Sequence, residues 1–176
     1  VYGQSAAQRE IYADVMEAVA RLDQMIREFV EFTGTLPLRA EPVDLNVLLS
    51  RAVAQHDALL QSRRIKVSSH LDPAVPEIEA DLNHFSRALA GLVEHCAWGT
   101  EESGTLSVSS RATPEAIILE ISRSGPPLSA QRRDTLFDPV AALTGPESGF
   151  GMAFVQKILA VHGCRLEVFN NAGEPV

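Results

Sequence analysis

SGFGMAFVQKILAVHG, residues 148–163, sets Gly149 and Gly151 one residue apart and runs from them straight into an amphipathic helical pattern. Such a turn has two readings. It can aim backbone N–H groups at an anion, where the positive end of the helix dipole favours negative charge, or it can only bend the chain into a helix. The elements on either side decide what the stretch belongs to.

Downstream, Arg165 to Phe169 reads as a strand, and upstream a short helix is predicted near Ser129 to Phe137. Further back, TLSVSS (105–110) and EAIILEISRS (115–124) alternate or run apolar around Ala112-Thr113-Pro114, as two antiparallel strands of a hairpin do. Asp81 is positioned to cap a helix with Phe85, Leu89, Leu92, Val93 and Cys96 facing inward. Asp44 is positioned to cap another, carrying Leu45, Leu48, Leu49, Ala52, Val53, Leu59 and Leu60 on its buried side. A strand at Ile65 to Leu71 lies between them, and Pro73 and Pro76 punctuate the loop after it. Helix, strand, helix, hairpin, helix, strand predicts an α+β fold: a two-layer sandwich of helices on a mixed, mostly antiparallel sheet.

The N-terminal part is different. Ile11, Val15, Ala18, Leu22, Met25, Phe29 and Phe32 recur at 4-3-4-3-4-3, the seam of a coiled coil or helical hairpin. Val19, Ile26 and Val30 widen that face to the breadth expected in a dimeric four-helix bundle. Thr33-Gly34-Thr35-Leu36-Pro37 stops the helix, and Leu38 to Pro42 reads as extended linker. The predicted division is a bundle helix over 1–36, a linker over 37–43 and the sandwich over 44–176.

Composition narrows the function classes. The formal charge of −8 over 176 residues, without a basic run, argues against a nucleic-acid partner. No stretch approaches the roughly 20 apolar residues of a membrane span, and VYGQSAAQRE lacks a signal-peptide core. A cytoplasmic location without membrane contact is therefore expected. Cys96 and Cys164 fit no pairing motif and are read as reduced core residues.

This order of elements resembles the C-terminal half of bacterial sensor histidine kinases over nearly the whole chain. The first helix looks like the second helix of the dimerisation and histidine-phosphotransfer hairpin. The sandwich looks like the ATP-binding catalytic domain shared with gyrase, Hsp90 and MutL proteins. The resemblance implies that the opening stretch corresponds to a G-x-G-x-G phosphate turn. Here Glu147 takes the first glycine position and Gly149 and Gly151 keep the other two, so a carboxylate stands beside the expected polyphosphate. LFDPV, 136–140, matches the phenylalanine box before the ATP lid, which would then span 141–148; Phe137 is either that phenylalanine or an ordinary core residue. The adenine-reading D-x-G-x-G box corresponds to Arg123-Ser124-Gly125-Pro126-Pro127. Arginine cannot accept the bond that aspartate accepts from the adenine amino group, because a guanidinium only donates. On the helix after Asp81, His95 falls at the position of a magnesium-holding asparagine and Gly91 at a second. Magnesium prefers oxygen ligands, so imidazole is a poor replacement. Glu94 is the weak candidate for a catalytic carboxylate, with a solvated surface acid as the plain alternative, and no metal ligand set is found.

The resemblance implies a phosphoacceptor histidine on the first hairpin helix in an H-[ED]-x-x-x-P context, which none of His56, His70, His84, His95 and His162 has; whether one precedes Val1 is left open by these residues. The resulting expectation is a two-component signalling module that has lost ATP binding: a pseudokinase with a regulatory or scaffold role. It would form a homodimer through residues 11–32, work with a response regulator or partner kinase, and need no cofactor. Two alternatives stand beside it. One is an atypical active kinase that uses ATP and magnesium; the other is a phosphotransferase whose histidine lies upstream.

Overall fold

A computed structural model of the protein describes residues 6–139 and 151–170. The first helix, α1 (Ala6–Thr33), runs as the seam predicts, and the Gly34 N–H closes its last turn on the Val30 carbonyl at 2.9 Å. Within the single chain Ile11, Val15, Val19, Leu22, Ile26 and Val30 are all more than half exposed. The side chains of Met25, Phe29 and Phe32 lie outside the described ones. Contact with the rest of the molecule comes at the helix end, where the Lys157 ammonium donates to the Gly34 carbonyl at 2.7 Å.

Residues 40–43, expected in the linker, form a strand, β1 (Ala40–Val43). It pairs antiparallel with β3 (Ile78–Asp81), Ala40 facing Asp81 and Val43 facing Ile78. The Asp44 carboxylate then accepts from the N–H groups of Asn46 and Val47 and opens α2 (Leu45–Gln55). The single helix expected from Asp44 to Leu60 is broken. The turn at His56 separates α2 from α3 (Asp57–Ser62), and the His56 Nδ1 bonds back to the Ala52 carbonyl at 2.8 Å.

The main sheet has three strands in the order β2 (Lys66–Leu71), β4 (Thr105–Ala112), β5 (Ile117–Arg123). β2 runs parallel to β4, and β4 and β5 form the predicted antiparallel hairpin. The sheet is thus mixed, as a crossover through α4 (Leu82–Gly99) requires. Along β4, Leu106, Val108 and Ser110 are buried while Thr105, Ser107 and Ser109 are half-exposed. The alternation assigns one face to the helices. That face meets Phe85, Ala88, Leu89, Val93 and Ala97 of α4, Leu45, Leu48, Leu49 and Ala52 of α2, and Met152, Val155 and Ile158 of α6 (Gly151–Val161). A short α5 (Ala130–Asp134), capped by Ser129, precedes α6.

Asp81 organises the β3–α4 corner. Its buried carboxylate accepts from the N–H groups of His84 and Arg39, both at 2.9 Å, and these bonds hold the carboxyl at about 2. Its own N–H donates to His162 Nε2 at 3.1 Å, and His162 Nδ1 bonds the Ile158 carbonyl at 2.7 Å, so the end of α6 is tied to β3.

Two expectations need correction. The strand predicted over 165–169 is reduced to an isolated bridge at Phe169. What anchors this segment is the Asn170 side-chain amide, which donates to the Leu128 carbonyl at 2.8 Å and accepts from the Leu128 N–H at 3.0 Å. Cys164 is exposed rather than part of the core, and Cys96 is partly buried; both are free thiols.

Candidate functional site

The hairpin register places the first site residue. Arg123 on β5 stands opposite Leu106 on β4, and directly opposed residues in an antiparallel pair project to the same face. Leu106 is buried beneath the helices, so Arg123 is directed into the helical layer. There its guanidinium donates to the Gly99 carbonyl at 2.5 Å and to the Pro126 carbonyl at 3.1 Å. Gly99 is the last residue of α4, whose final carbonyls have no partner within the helix and carry the negative end of its dipole. A Cβ at Gly99 would lie 2.7 Å from the Arg123 Nε and 2.9 Å from its Cζ, so the guanidinium packs flat against a position that only glycine leaves open.

A second arginine reaches the same helix end. Arg63 donates to the carbonyls of Ala97 (2.6 Å), Trp98 (2.8 Å) and Thr100 (2.8 Å), and its guanidinium carbon lies 5.6 Å from the centre of the Trp98 ring. Four consecutive carbonyls, 97 to 100, are therefore taken by two cations.

Beyond Arg123 the chain reverses at Gly125, whose φ of +116° suits glycine and whose added Cβ would come within 3.2 Å of the Glu101 nitrogen. The turn Pro126–Leu128 and the start of α5 then close a pocket of about 320 Å³ against α4. His95 and Gly99 of α4, Arg123 of β5, and Ser129 and Arg132 at the start of α5 are among its lining residues. The structure thus brings His95 and Arg123 together, with Gly125 in the turn beside them. Ser129 and Arg132 were missed by the sequence reading, although Ser129 accepting from the Arg132 N–H at 3.2 Å is a legible cap. Among the described residues the lining carries two guanidinium groups, one imidazole and one hydroxyl, and no carboxylate. Next to it, burial pushes the Cys96 thiol up to about 11, partly offset by the Arg123 charge.

The remaining candidates fall elsewhere. Gly91 lies at the contact of α4 with α6, where an added Cβ would be 2.9 Å from Val155 Cγ2, so its smallness serves helix packing. Glu94 is exposed, outside the pocket lining, with its carboxylate 4.0 Å from His56 Nε2. Phe137 packs against the core and lines a separate groove of about 550 Å³ with Leu136, Arg133, Leu166 and Phe169. Gly151 begins α6 with φ +32° and open space around it. Glu147, Gly149 and the lid expected over 141–148 lie outside the described residues. Among the described residues no three or more His, Cys, Asp or Glu side chains gather as a metal site, and no helix is long and apolar enough to cross a membrane.

No family model matches the chain. Curated relatives do: the sensor histidine kinase ZraS of Escherichia coli K12 is 26% identical over 163 residues, covering 92% of this chain and 35% of the relative. The histidine-protein kinase/phosphatase MprB of Mycolicibacterium paratuberculosis is 26% identical over 166 residues, covering 90% and 31%. The chain spans about a third of the length of these relatives. Among solved structures, full-length ShkA in complex with AMPPNP superposes with a TM-score of 0.76 at 20% identity, over 92% of this chain and 35% of that one. Histidine kinase AdeS of Acinetobacter baumannii gives 0.67 at 19% identity, over 91% and 76%. The catalytic domain of ThkA gives 0.62 at 20%, over 70% and 81%. The helical layer on the mixed sheet is the histidine kinase ATPase-like fold, and the homologues that match most of the chain are sensor histidine kinases.

Proposed function

We propose that this chain is a regulatory module of a two-component system whose nucleotide site no longer takes ATP. The observation that carries this reading is Arg123. At the position where the family accepts a hydrogen bond from adenine stands a donor-only guanidinium, bonded to the Gly99 and Pro126 carbonyls. Among the described residues the pocket beside it presents the side-chain nitrogens of Arg123, Arg132 and His95 and one hydroxyl, a poor match to a magnesium nucleotide, whose metal prefers oxygen ligands. The module acts through assembly: α1 pairs with a second copy in a helical bundle, and the sandwich meets a response regulator or partner kinase. ThkA, a structural neighbour, has been solved with the response regulator TrrA. The chain works on the cytoplasmic side.

The test is a thermal shift with ATP and magnesium. An adenine bond lost with its partner unpaired costs about 1–3 kcal/mol, and the altered metal and phosphate contacts add similar amounts. A total of about 4 kcal/mol moves a Kd of about 10 µM to about 10 mM. At about 1 mM ATP the stabilisation is then about 0.1 kcal/mol, below detection. A saturable shift, or calorimetric binding tighter than about 100 µM, overturns the reading.

A further inference from the structure

His162, just past the end of α6, has both ring nitrogens bonded, and the partners fix which one carries the proton. A backbone carbonyl can only accept, so Nδ1, 2.7 Å from the Ile158 carbonyl oxygen, holds a hydrogen. A backbone N–H can only donate, so Nε2, 3.1 Å from the Asp81 nitrogen, holds a lone pair. The two bonds together require the neutral imidazole. An imidazolium carries donors at both nitrogens, and its Nε2–H would face the Asp81 N–H.

Asp81 is where this bond meets the rest of the fold. Its N–H holds the end of α6, while its carboxylate accepts from the N–H of His84 on α4 and from that of Arg39, on the segment leading from α1 into β1. Phe85 of α4 stands at 83° to the imidazole with ring centres 5.3 Å apart. Among the described residues, the titratable groups at this corner besides His162 are the Asp81 carboxylate, the His84 imidazole, whose Nδ1 lies 3.0 Å from that carboxylate, and the Cys164 thiol, 3.9 Å from the His162 carbonyl. Asp81 stays charged down to about 2, and burial pushes the Cys164 thiol above its ordinary range. Histidine is the side chain whose charge changes between about pH 5 and 8, and the two histidines here act in opposite directions. A proton on His84 adds attraction to the Asp81 carboxylate. A proton on His162 removes the acceptor of the Asp81 N–H, and the carboxylate, whose oxygens already accept from His84 and Arg39, cannot supply another.

We propose that His162 is an acid-sensitive latch: neutral, it ties the end of α6 to β3; protonated, it releases the Asp81 N–H and loosens α6 from the corner that holds the strand coming from α1. The latch works whether or not the nucleotide site takes ATP.

The experiment combines imidazole ¹⁵N–¹H correlation with amide hydrogen exchange on the whole chain between about pH 8 and about pH 5. At the upper end His162 should show a protonated Nδ1 and an unprotonated Nε2. As its ring titrates, protection of the Asp81 amide should fall about tenfold relative to that of Val108 in the buried part of β4, the effect of losing about one hydrogen bond. His162→Gln keeps an acceptor at the place of Nε2 without titrating, so its Asp81 protection should not vary with pH. His84→Asn removes the neighbouring titration and should keep the response. A proton on Nε2 at about pH 8, no titration of the ring above about pH 5, or Asp81 protection that stays constant while the ring titrates overturns the latch. So does the same fall in His162→Gln, or its disappearance in His84→Asn.

Discussion

Replacing Gly99 with alanine should have opposite signs in two backgrounds. Gly99 ends α4, and its φ lies outside the left-handed region, so alanine is conformationally acceptable there and gains up to about 1 kcal/mol of helix propensity. Against this, the new Cβ would sit 2.7 Å from the Arg123 Nε, so the guanidinium must leave. Its bond to the Gly99 carbonyl goes with it, as does the bond to Pro126. A hydrogen bond to a charged group is worth about 1.5–3 kcal/mol; Arg123 is half-exposed, so about 2 kcal/mol for the pair is the fitting figure. Gly99→Ala should therefore destabilise the protein by about 1 kcal/mol. With Arg123→Ala already present there is nothing to displace, and the same change should stabilise by about 1 kcal/mol, a coupling of about 2 kcal/mol. Urea unfolding of the four proteins, followed by the fluorescence of the single tryptophan, Trp98, reads the event beside the site. Equal effects of Gly99→Ala in both backgrounds would refute the packing of Arg123 on the helix end.

Other consequences follow from the same contacts. The Asp81 carboxyl is held at about 2 by the His84 and Arg39 N–H groups, below its ordinary value of 3.8; its contribution, about 1–2 kcal/mol, is complete above pH ~4 and lost as pH falls toward 2. The stability gap between wild type and Asp81→Asn, measured by urea titration, should narrow across that window and not above it. Gly91→Ala should cost about 1–2 kcal/mol, because a Cβ 2.9 Å from Val155 Cγ2 pushes α4 from α6; Val155→Ala should restore most of the loss in thermal melts. Leu22→Asp should leave the melting of the sandwich unchanged, since Leu22 is 58% exposed in the single chain, yet abolish dimers seen by light scattering once the full hairpin is present.

Much of the fold was legible because its determinants are local. Asp44, Asp81 and Ser129 cap helices where a short acceptor precedes an apolar period, and the hairpin announces itself by alternation around Thr113. What escaped reading depends on partners distant in sequence. The Asp44 helix breaks at His56, where a continuing face would demand an apolar residue. Residues 40–43 read as linker because a four-residue strand holding a proline signals nothing until β3 lies beside it. RLEVF alternates like a strand, yet Asn170 occupies the Leu128 backbone groups. At the site, sequence joined His95, Arg123 and Gly125 but also attached Phe137, which belongs to another groove, and it left out Arg132, which only the turn after Gly125 brings round.

The hydrogen-bond polarity of residue 123 links these parts. A wall that reads an amino group must accept, and an aspartate at 123 would set its carboxylate among the carbonyls of residues 97 to 100, where only donors are welcome. Such a side chain stays free for a ligand because the helix end gives it nothing to bond. Arginine at 123 finds acceptors at once and serves as a cap of the α4 end. Gly99 admits the flat guanidinium and Gly125 lets the chain turn back over it.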